Sequence, residues 1–245
     1  MVQHARAIVY YERGELARAR DLLSESAATY NALGEAELYA RARHYLGNVL
    51  YRQQDVRGAQ QIYEESLAWG ENENDLRWVA HAHRVLGHCA YQLGNFTAAS
   101  MHFHLSAKQC RELGLGAELT RTEWGFALVL LGTGKYEEAL EAFKAVRDDF
   151  HRRDMLTDAA LVALSMMEAL HALGRFREIV ALATEVAQTF TAAGMITSAL
   201  TAFAYLKEAA RDGTITTVKI SRVRDFVRRL EREPAIIFSP DDNHD

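Results

Sequence analysis

Proline is almost absent from this sequence. Both prolines, Pro234 and Pro240, lie near the end of the chain, so residues 1–233 contain none. A proline inside a helix removes a backbone donor and clashes with the preceding turn. Its absence therefore favours long, uninterrupted helices over residues 1–233.

Cysteine is also scarce. Cys89 and Cys110 are the only two, and neither lies in a CxxC or zinc-finger spacing. Two cysteines make no disulfide framework, which favours a reducing compartment. Residues 1–19 contain no apolar core or cleavage site of a signal peptide, and no run approaches the roughly 18 apolar residues of a membrane span. We therefore expect a soluble, cytoplasmic protein with no membrane partner.

Charge of one sign does not dominate the chain. The net charge is −5, and three of the acidic residues, Asp241, Asp242 and Asp245, lie in the last five positions. The rest of the chain is therefore nearly neutral. A nucleic-acid-binding surface would need a basic excess, so we do not expect a nucleic-acid partner.

Motifs of catalysis and metal binding are missing as well. Histidines are concentrated in one stretch, at His81, His83, His88, His102 and His104. Residues two apart on a helix point to different sides, so neither His-x-His pair can chelate a metal, and HExxH is absent. Residues 132–135, GTGK, lack the remaining residues of a phosphate-binding loop. We expect no enzyme, no cofactor and no native metal site.

What the sequence does contain is an internal repeat with a constant period. A turn residue recurs at equal intervals, at Gly14, Gln54, Gly94, Gly134 and Gly174. Glycine ends a helix by adopting a left-handed conformation at low cost. An apolar or aromatic residue follows two positions later, and in four of the five repeats alanine follows three beyond that. A further core position then comes at Leu23, Tyr63, Phe103, Phe143 and Ala183.

Each period predicts a pair of helices with short connections, because apolar residues recur at helical spacing before and after the turn. The predicted helices are 2–13, 15–32, 35–53, 55–71, 75–93, 95–113, 116–133, 135–151, 154–173, 175–192, 195–211 and 216–232. The last pair, 195–232, is degenerate and would cap the stack, with Thr216 or Thr217 as an N-cap. Residues 233–245 form an acidic tail that we expect to be partly disordered.

This pattern resembles the tetratricopeptide repeat family over residues 1–232, in the 40-residue form seen in bacterial regulators. The resemblance implies an all-α, right-handed superhelical solenoid of antiparallel helix pairs. It also implies a binding function, with the first helix of each pair lining a concave groove. Residues 209–213, 226–234 and Phe238 resemble, more loosely, repeat regions attached to anti-sigma-like zinc-finger domains, which suggests transcriptional regulation.

Counting back from the turn residues gives the positions that would face such a groove. The predicted binding residues are Arg41, His44, Asn48, Tyr51, Arg52, His81, Arg84, His88, Tyr91, Arg121 and Trp124. Arginine and asparagine suit carboxylates and backbone amides, and tyrosine gives rigid contact area. Beyond Trp124 the same rows become apolar, at Leu128, Leu131, Leu161 and Leu164. A peptide with an acidic or free-carboxylate segment and an apolar anchor would match.

Three functions remain open at this point. The leading one is a regulatory adaptor that binds another protein or peptide in the groove. In the second, a peptide ligand changes the shape of the superhelix. In the third, helices at the two ends stack between copies and give a homo-oligomer. The basic last helix, Lys219 to Arg232, is expected to turn its apolar side onto the stack and its arginines to water.

Overall fold

A computed structural model describes residues 2–192, 197–230 and 236–240, and within these ranges the chain is helical with no strand. Twelve helices are described: α1 Val2–Glu12, α2 Leu16–Ala32, α3 Ala36–Arg52, α4 Val56–Asn72, α5 Leu76–Gln92, α6 Phe96–Glu112, α7 Gly116–Gly132, α8 Tyr136–Arg152, α9 Leu156–Ala172, α10 Phe176–Ala192, α11 Thr197–Arg211 and α12 Thr217–Leu230. The all-α prediction and its twelve helices are confirmed. Much of the predicted tail lies outside the described residues.

The helices form two compact units, residues 1–132 with α1 to α7 and residues 133–245 with α8 to α12. Inside each unit, helices that follow one another in the chain pack side by side. No helix in the described ranges combines the length and the apolar character needed to cross a membrane. The predicted division into a solenoid over 1–232 and a tail over 233–245 stays a prediction.

The connection between helices repeats twice as often as the sequence pattern, since it also joins one pair to the next. At the end of α1, the Gly14 amide donates to the Tyr11 carbonyl and the Glu15 amide donates to the Tyr10 carbonyl, at 3.1 and 2.9 Å. These two bonds are a Schellman motif, which satisfies carbonyls at the end of the helix. The residue with positive φ in each such connection is Gly14, Gly34, Gln54, Asn74, Gly94, Gly114, Gly134, Asp154, Gly174 or Gly213. Glycine therefore occurs in only some of the connections that share this backbone conformation.

The same short connection also starts the next helix. The residue that completes the Schellman motif is the N-cap of the following helix, so no spacer is needed. Asp55, Asp75 and Asn95 accept hydrogen bonds from the amides of Gly58, Trp78 and Ala98, at 3.0, 3.0 and 3.1 Å. At α12 the cap is Thr216, whose hydroxyl accepts from the Lys219 amide at 3.2 Å, as predicted. Such caps stabilise a helix by about 1 kcal/mol.

Large core side chains fill notches made by glycines on the neighbouring helices. Phe103 is fully buried, and a Cβ added at Gly87 or Gly125 would lie 2.6 or 2.5 Å from its ring. The predicted core positions Leu23, Tyr63, Phe103, Phe143 and Ala183 are all buried, which confirms that row. Cys89 and Cys110 are buried too, and burial raises the pKa of the Cys89 thiol to about 12. These cysteines are packing residues.

In unit 2, helix α12 packs against α9 as well as α11. Its apolar residues Ile220, Val223, Phe226, Val227 and Leu230 are buried, which confirms the predicted apolar side. An ion pair of 3.0 Å joins Arg224 of α12 to Glu168 of α9, and these side chains are only 16% and 19% exposed. The prediction that the arginines of this helix face water is therefore wrong for Arg224. Leu161 and Leu164 of α9, which the sequence assigned to an apolar half of the groove, are buried here.

Candidate functional site

An open cavity of about 790 Å³ lies in unit 1 against the side of α1, α3 and α5, and we call this surface the groove face. These are the first helices of the first three pairs. Four predicted binding residues line the cavity: Arg41, His44, Asn48 and His81. The other lining residues are His4, Ala5, Ile8, Tyr30, Leu38, Tyr45, Asp75, Arg77 and Trp78.

A chain of hydrogen bonds runs beneath this cavity. Its links are Arg84 Nη2 to His81 Nδ1 at 2.8 Å, His81 Nε2 to His44 Nε2 at 2.9 Å, and His44 Nδ1 to Ser66 Oγ at 3.1 Å. Arginine can only donate, so His81 Nδ1 accepts and its proton lies on Nε2. His44 Nε2 therefore accepts, and its Nδ1 donates to Ser66, which also accepts from Trp78 Nε1 at 2.8 Å.

This chain of hydrogen bonds keeps both His44 and His81 neutral. Burial, helped by the positive charge of Arg84, lowers the pKa of His44 to about 4 and that of His81 well below its ordinary value. If either ring gained a second proton, that proton would sit on the nitrogen that now accepts a hydrogen bond, and it would point at the N–H donor there. Since all four ring nitrogens are engaged, His44 and His81 present aromatic surface to the cavity and no free polar atom.

The arginines predicted to make the groove cationic are largely paired. Arg84 and Arg121 share Glu118, at 3.4 and 2.7 Å, and Arg41 pairs with Glu37 at 2.7 Å. The Arg84 side chain is only 16% exposed, because it lies beside Glu118 and His81. The groove face is therefore closer to neutral than its sequence indicates.

Three polar groups on the groove face still have hydrogen-bonding capacity. Asn48 Oδ1 accepts from the hydroxyl of Tyr63 at 2.6 Å, which orients the amide and leaves Nδ2 as a donor. Arg77 is exposed and makes no ion pair or hydrogen bond within the described chain. His4 Nδ1 is buried without a hydrogen-bond partner there. All three residues line one cavity that also has apolar walls.

The remaining predicted residues lie away from the cavity. Arg52 donates to the Tyr11 carbonyl at 2.7 Å and stacks on the Tyr11 ring. Tyr51 packs against a core cluster around Tyr63, and Tyr91 against one around Phe103. His88 lies edge-on to Phe103, with ring centroids 5.1 Å apart, and Trp124 is half-buried on α7. Their role in binding stays a prediction.

The sequence analysis missed several residues that line the cavity, because the count back from each turn residue ended one helical turn too early. Leu38 and Trp78 come one helical turn before Arg41 and His81, which belong to the last row that was counted. The repeat itself therefore carried the signal that would have found them. Tyr30 could not be found in this way, since it comes from α2, the second helix of a pair.

Comparison with a family model supports the interpretation of the repeat. Residues 1–25 and 40–65 match the model described as tetratricopeptide repeat. Both segments are thus similar to tetratricopeptide repeats. They overlap α1 and α3, two first helices of the groove face. No curated protein matches the sequence.

Solved structures with tetratricopeptide-like helical folds are similar over most of this chain. A Rap protein complexed with competence and sporulation factor has a TM-score of 0.58 and 17% identity, with 86% of this chain and 63% of that chain covered. BtubC from P. vanneervenii has 0.64 and 16%, with 94% and 96% covered. Aspartyl phosphate phosphatase F from Bacillus subtilis has 0.69 and 15%, with 94% and 59% covered. This chain thus spans less than two thirds of the first and third, and the likeness is one of fold.

Proposed function

We propose that this tetratricopeptide-repeat chain is a regulatory adaptor that binds a peptide, or an extended segment of a protein, on the groove face of unit 1. The observation that carries the proposal is the oriented amide of Asn48 at a cavity of about 790 Å³. A donor held in one orientation suits the carbonyl of a peptide backbone. The protein would act by binding in the cytoplasm and not as an enzyme.

The chemistry of the cavity limits the kinds of ligand that it can bind. Because Arg41 and Arg84 are paired within the chain, Arg77 is the cation best placed to receive a carboxylate. Ile8 and Leu38 provide apolar wall for an anchor side chain. We therefore propose that the ligand is a largely apolar segment with a single carboxylate, and not a strongly acidic segment.

The comparisons support this proposal at the level of architecture. One of the similar structures holds a Rap protein together with a factor, so a fold of this kind forms complexes. Another similar structure is named a phosphatase, and that name belongs to a chain of which this protein covers 59%. A set of nucleophile, base and orienting group does not emerge around the cavity from the described contacts.

The test is a selection of peptides from a random library with free carboxyl ends, followed by affinity measurement in solution. The wild type is compared with Asn48→Ala and Arg77→Glu. The matched control is Arg57→Glu, because Arg57 is also exposed and makes no ion pair or hydrogen bond in the described chain, yet does not line the cavity.

We expect both groove variants to lose at least 10-fold in affinity for the selected peptides, and Arg57→Glu to stay within about twofold, as for a desolvated contact against a surface charge. Equal affinity in all four proteins would show that binding occurs elsewhere. Failure of the library to yield any binder to the folded wild type would count against peptide recognition.

A further inference from the structure

Aromatic rings make up a large share of the wall of the groove-face cavity. Six of its thirteen lining residues carry a ring: His4, Tyr30, His44, Tyr45, Trp78 and His81. Three lining residues are aliphatic, namely Ala5, Ile8 and Leu38. Tyr30 and His44 are buried, whereas the other four ring side chains are partly exposed. A side chain bound in the cavity would therefore meet rings more often than aliphatic groups.

Three of these rings form one group where α1, α2 and α3 meet. The ring centroid of His4 lies 5.9 Å from that of Tyr30, and the two planes are tilted by 50°. The same centroid lies 5.9 Å from that of Tyr45, with the planes at 87°. These are separations and tilts that aromatic rings prefer, and a further ring can join such a group in the same geometry.

The other three rings form a second group on α3 and α5. The ring centroid of His44 lies 5.2 Å from that of Trp78 and 4.8 Å from that of His81, with interplanar angles of 62° and 50°. The chain of hydrogen bonds beneath the cavity engages all four ring nitrogens of the two histidines, and Trp78 Nε1 donates to Ser66. These rings are neutral, and what they present to a ligand is aromatic contact area.

The charged lining residues disfavour a cationic anchor. A cation can also bind against the face of an aromatic ring. Arg41 and Arg77 line the same cavity, however, so a lysine or arginine side chain would approach two guanidinium groups. The carboxylate of Asp75, which also lines the cavity, accepts a hydrogen bond from the Trp78 amide at 3.0 Å as the N-cap of α5. A neutral anchor therefore suits this cavity better than a cationic one.

We propose that the cavity selects a neutral aromatic group, so that the segment bound there is anchored by a phenylalanine, tyrosine or tryptophan side chain. This inference rests on the proposed function and specifies the anchor that the groove face recognises. An aliphatic anchor gains only the burial of apolar surface. A ring gains edge-to-face contacts in addition, which favour it over a saturated group of equal size by roughly 3- to 10-fold.

The test compares two small probes of similar shape, N-acetylphenylalaninamide and N-acetylcyclohexylalaninamide, by titration of the whole chain monitored by NMR of the probe. The saturated probe is at least as apolar, so burial alone would leave the two equal or favour the saturated one. Because neither probe is a peptide chain, the measurement does not depend on peptide selection.

The variants concern one ring of the cavity wall. Tyr45→Leu removes that ring, and Tyr45→Phe keeps it. The matched control is Tyr39→Leu, because Tyr39 lies on the same helix and is also partly buried, yet does not line the cavity. Thermal unfolding without probe verifies that each variant is folded.

We expect the aromatic probe to bind the wild type roughly 3- to 10-fold more tightly than the saturated probe. This preference should persist in Tyr45→Phe and Tyr39→Leu and should decrease in Tyr45→Leu. Equal or tighter binding of the saturated probe by the wild type would overturn the inference, as would a preference that is unchanged in a folded Tyr45→Leu. Failure of both probes to bind would also overturn it.

The outcome for this inference is distinct from the outcome for the proposed function. If selected peptides lose affinity in Asn48→Ala but the wild type shows no preference for the aromatic probe, the inference is wrong and the proposed function stands. If the aromatic probe binds with the expected preference but the library yields no peptide, the selectivity of the cavity stands and peptide recognition is wrong.

Discussion

The groove face of unit 1 and the corresponding face of α9 in unit 2 are built from helix pairs of the same kind, joined by the same type of connection. The groove face is open, whereas the face of α9 is covered. On the groove face, aromatic and polar residues such as Trp78, Tyr45 and Asn48 surround a cavity. On α9, Leu161 and Leu164 are buried, and α12 of the same chain packs there. The repeat fixes the backbone, and the side chains of each face decide whether it can remain exposed to water or needs a helix over it.

The covered face should be the more sensitive of the two to loss of apolar contact. Phe226 of α12 is 7% exposed and packs edge-on against Phe238, with ring centroids 5.2 Å apart. We expect Phe226→Ala to lower the free energy of unfolding by about 4 kcal/mol, through lost burial and the cavity left behind. Chemical denaturation monitored by circular dichroism measures the change.

The control for that variant lies on the same helix. Val218 is 66% exposed, so Val218→Ala should change the free energy of unfolding by less than about 0.5 kcal/mol. A loss below about 1 kcal/mol in Phe226→Ala would mean that α12 contributes little to unit 2. The covered face and the groove face would then differ less than their burial indicates.

Acid should act on the groove face through its histidines. The pKa of His44 is about 4 in the folded chain and about 6.5 when unfolded, so between these values the unfolded chain binds more protons. Stability from this residue is therefore complete above pH 6.5 and is lost as the pH falls toward 4, by about 3 kcal/mol. His81 should add to the loss, because its pKa is lowered in the same way.

His44→Gln isolates this contribution from other titrating groups. The variant should be clearly less stable than the wild type at pH 7, because Ser66 and His81 lose their partner. The difference should shrink by about 2–3 kcal/mol at pH 4, since the wild type alone loses the histidine contribution there. Urea unfolding at several pH values measures it, and a difference that does not vary with pH would contradict neutral, buried histidines.

The covered face also contains a largely buried ion pair, between Arg224 and Glu168. Arg224→Met removes the partner of Glu168 and leaves a carboxylate that is only 19% exposed. We expect a loss of about 2 kcal/mol, reduced from the cost of a fully buried pair by this residual exposure. Adding Glu168→Leu should recover most of the loss. If the double variant is no more stable than Arg224→Met, the ion pair is not the source of the effect.

The helices could be predicted from the sequence because their signals are local. A turn residue and apolar spacing lie within one segment, and observed ends such as Leu16 and Arg152 fall within two residues of the prediction. The cavity was only partly predictable. Arg84 was taken as a binding cation, and its partner Glu118 comes from another helix, which no spacing within α5 reveals. Contacts between helices depend on packing, so they emerge only in the structure.

The smallest predicted effect concerns the connection between helices, which both units share. Gln54 adopts a φ of 65° at a position where most connections carry glycine. A left-handed conformation costs a residue with a Cβ about 1 kcal/mol relative to glycine. Gln54→Gly should therefore raise the free energy of unfolding by somewhat less than about 1 kcal/mol, because glycine also gains freedom in the unfolded chain. Thermal and urea unfolding can resolve a change of this size.

The matched comparison uses the connections that carry Asn74 in unit 1 and Asp154 in unit 2, with φ of 54° and 58°. Asparagine and aspartate tolerate this conformation because their short polar side chains bond locally, so either replacement by glycine should gain less than Gln54→Gly does. Equal gains at Asn74 and Asp154 would show that the connection behaves alike in both units. A loss at Gln54 would mean that its side chain stabilises the turn by more than its backbone strain costs.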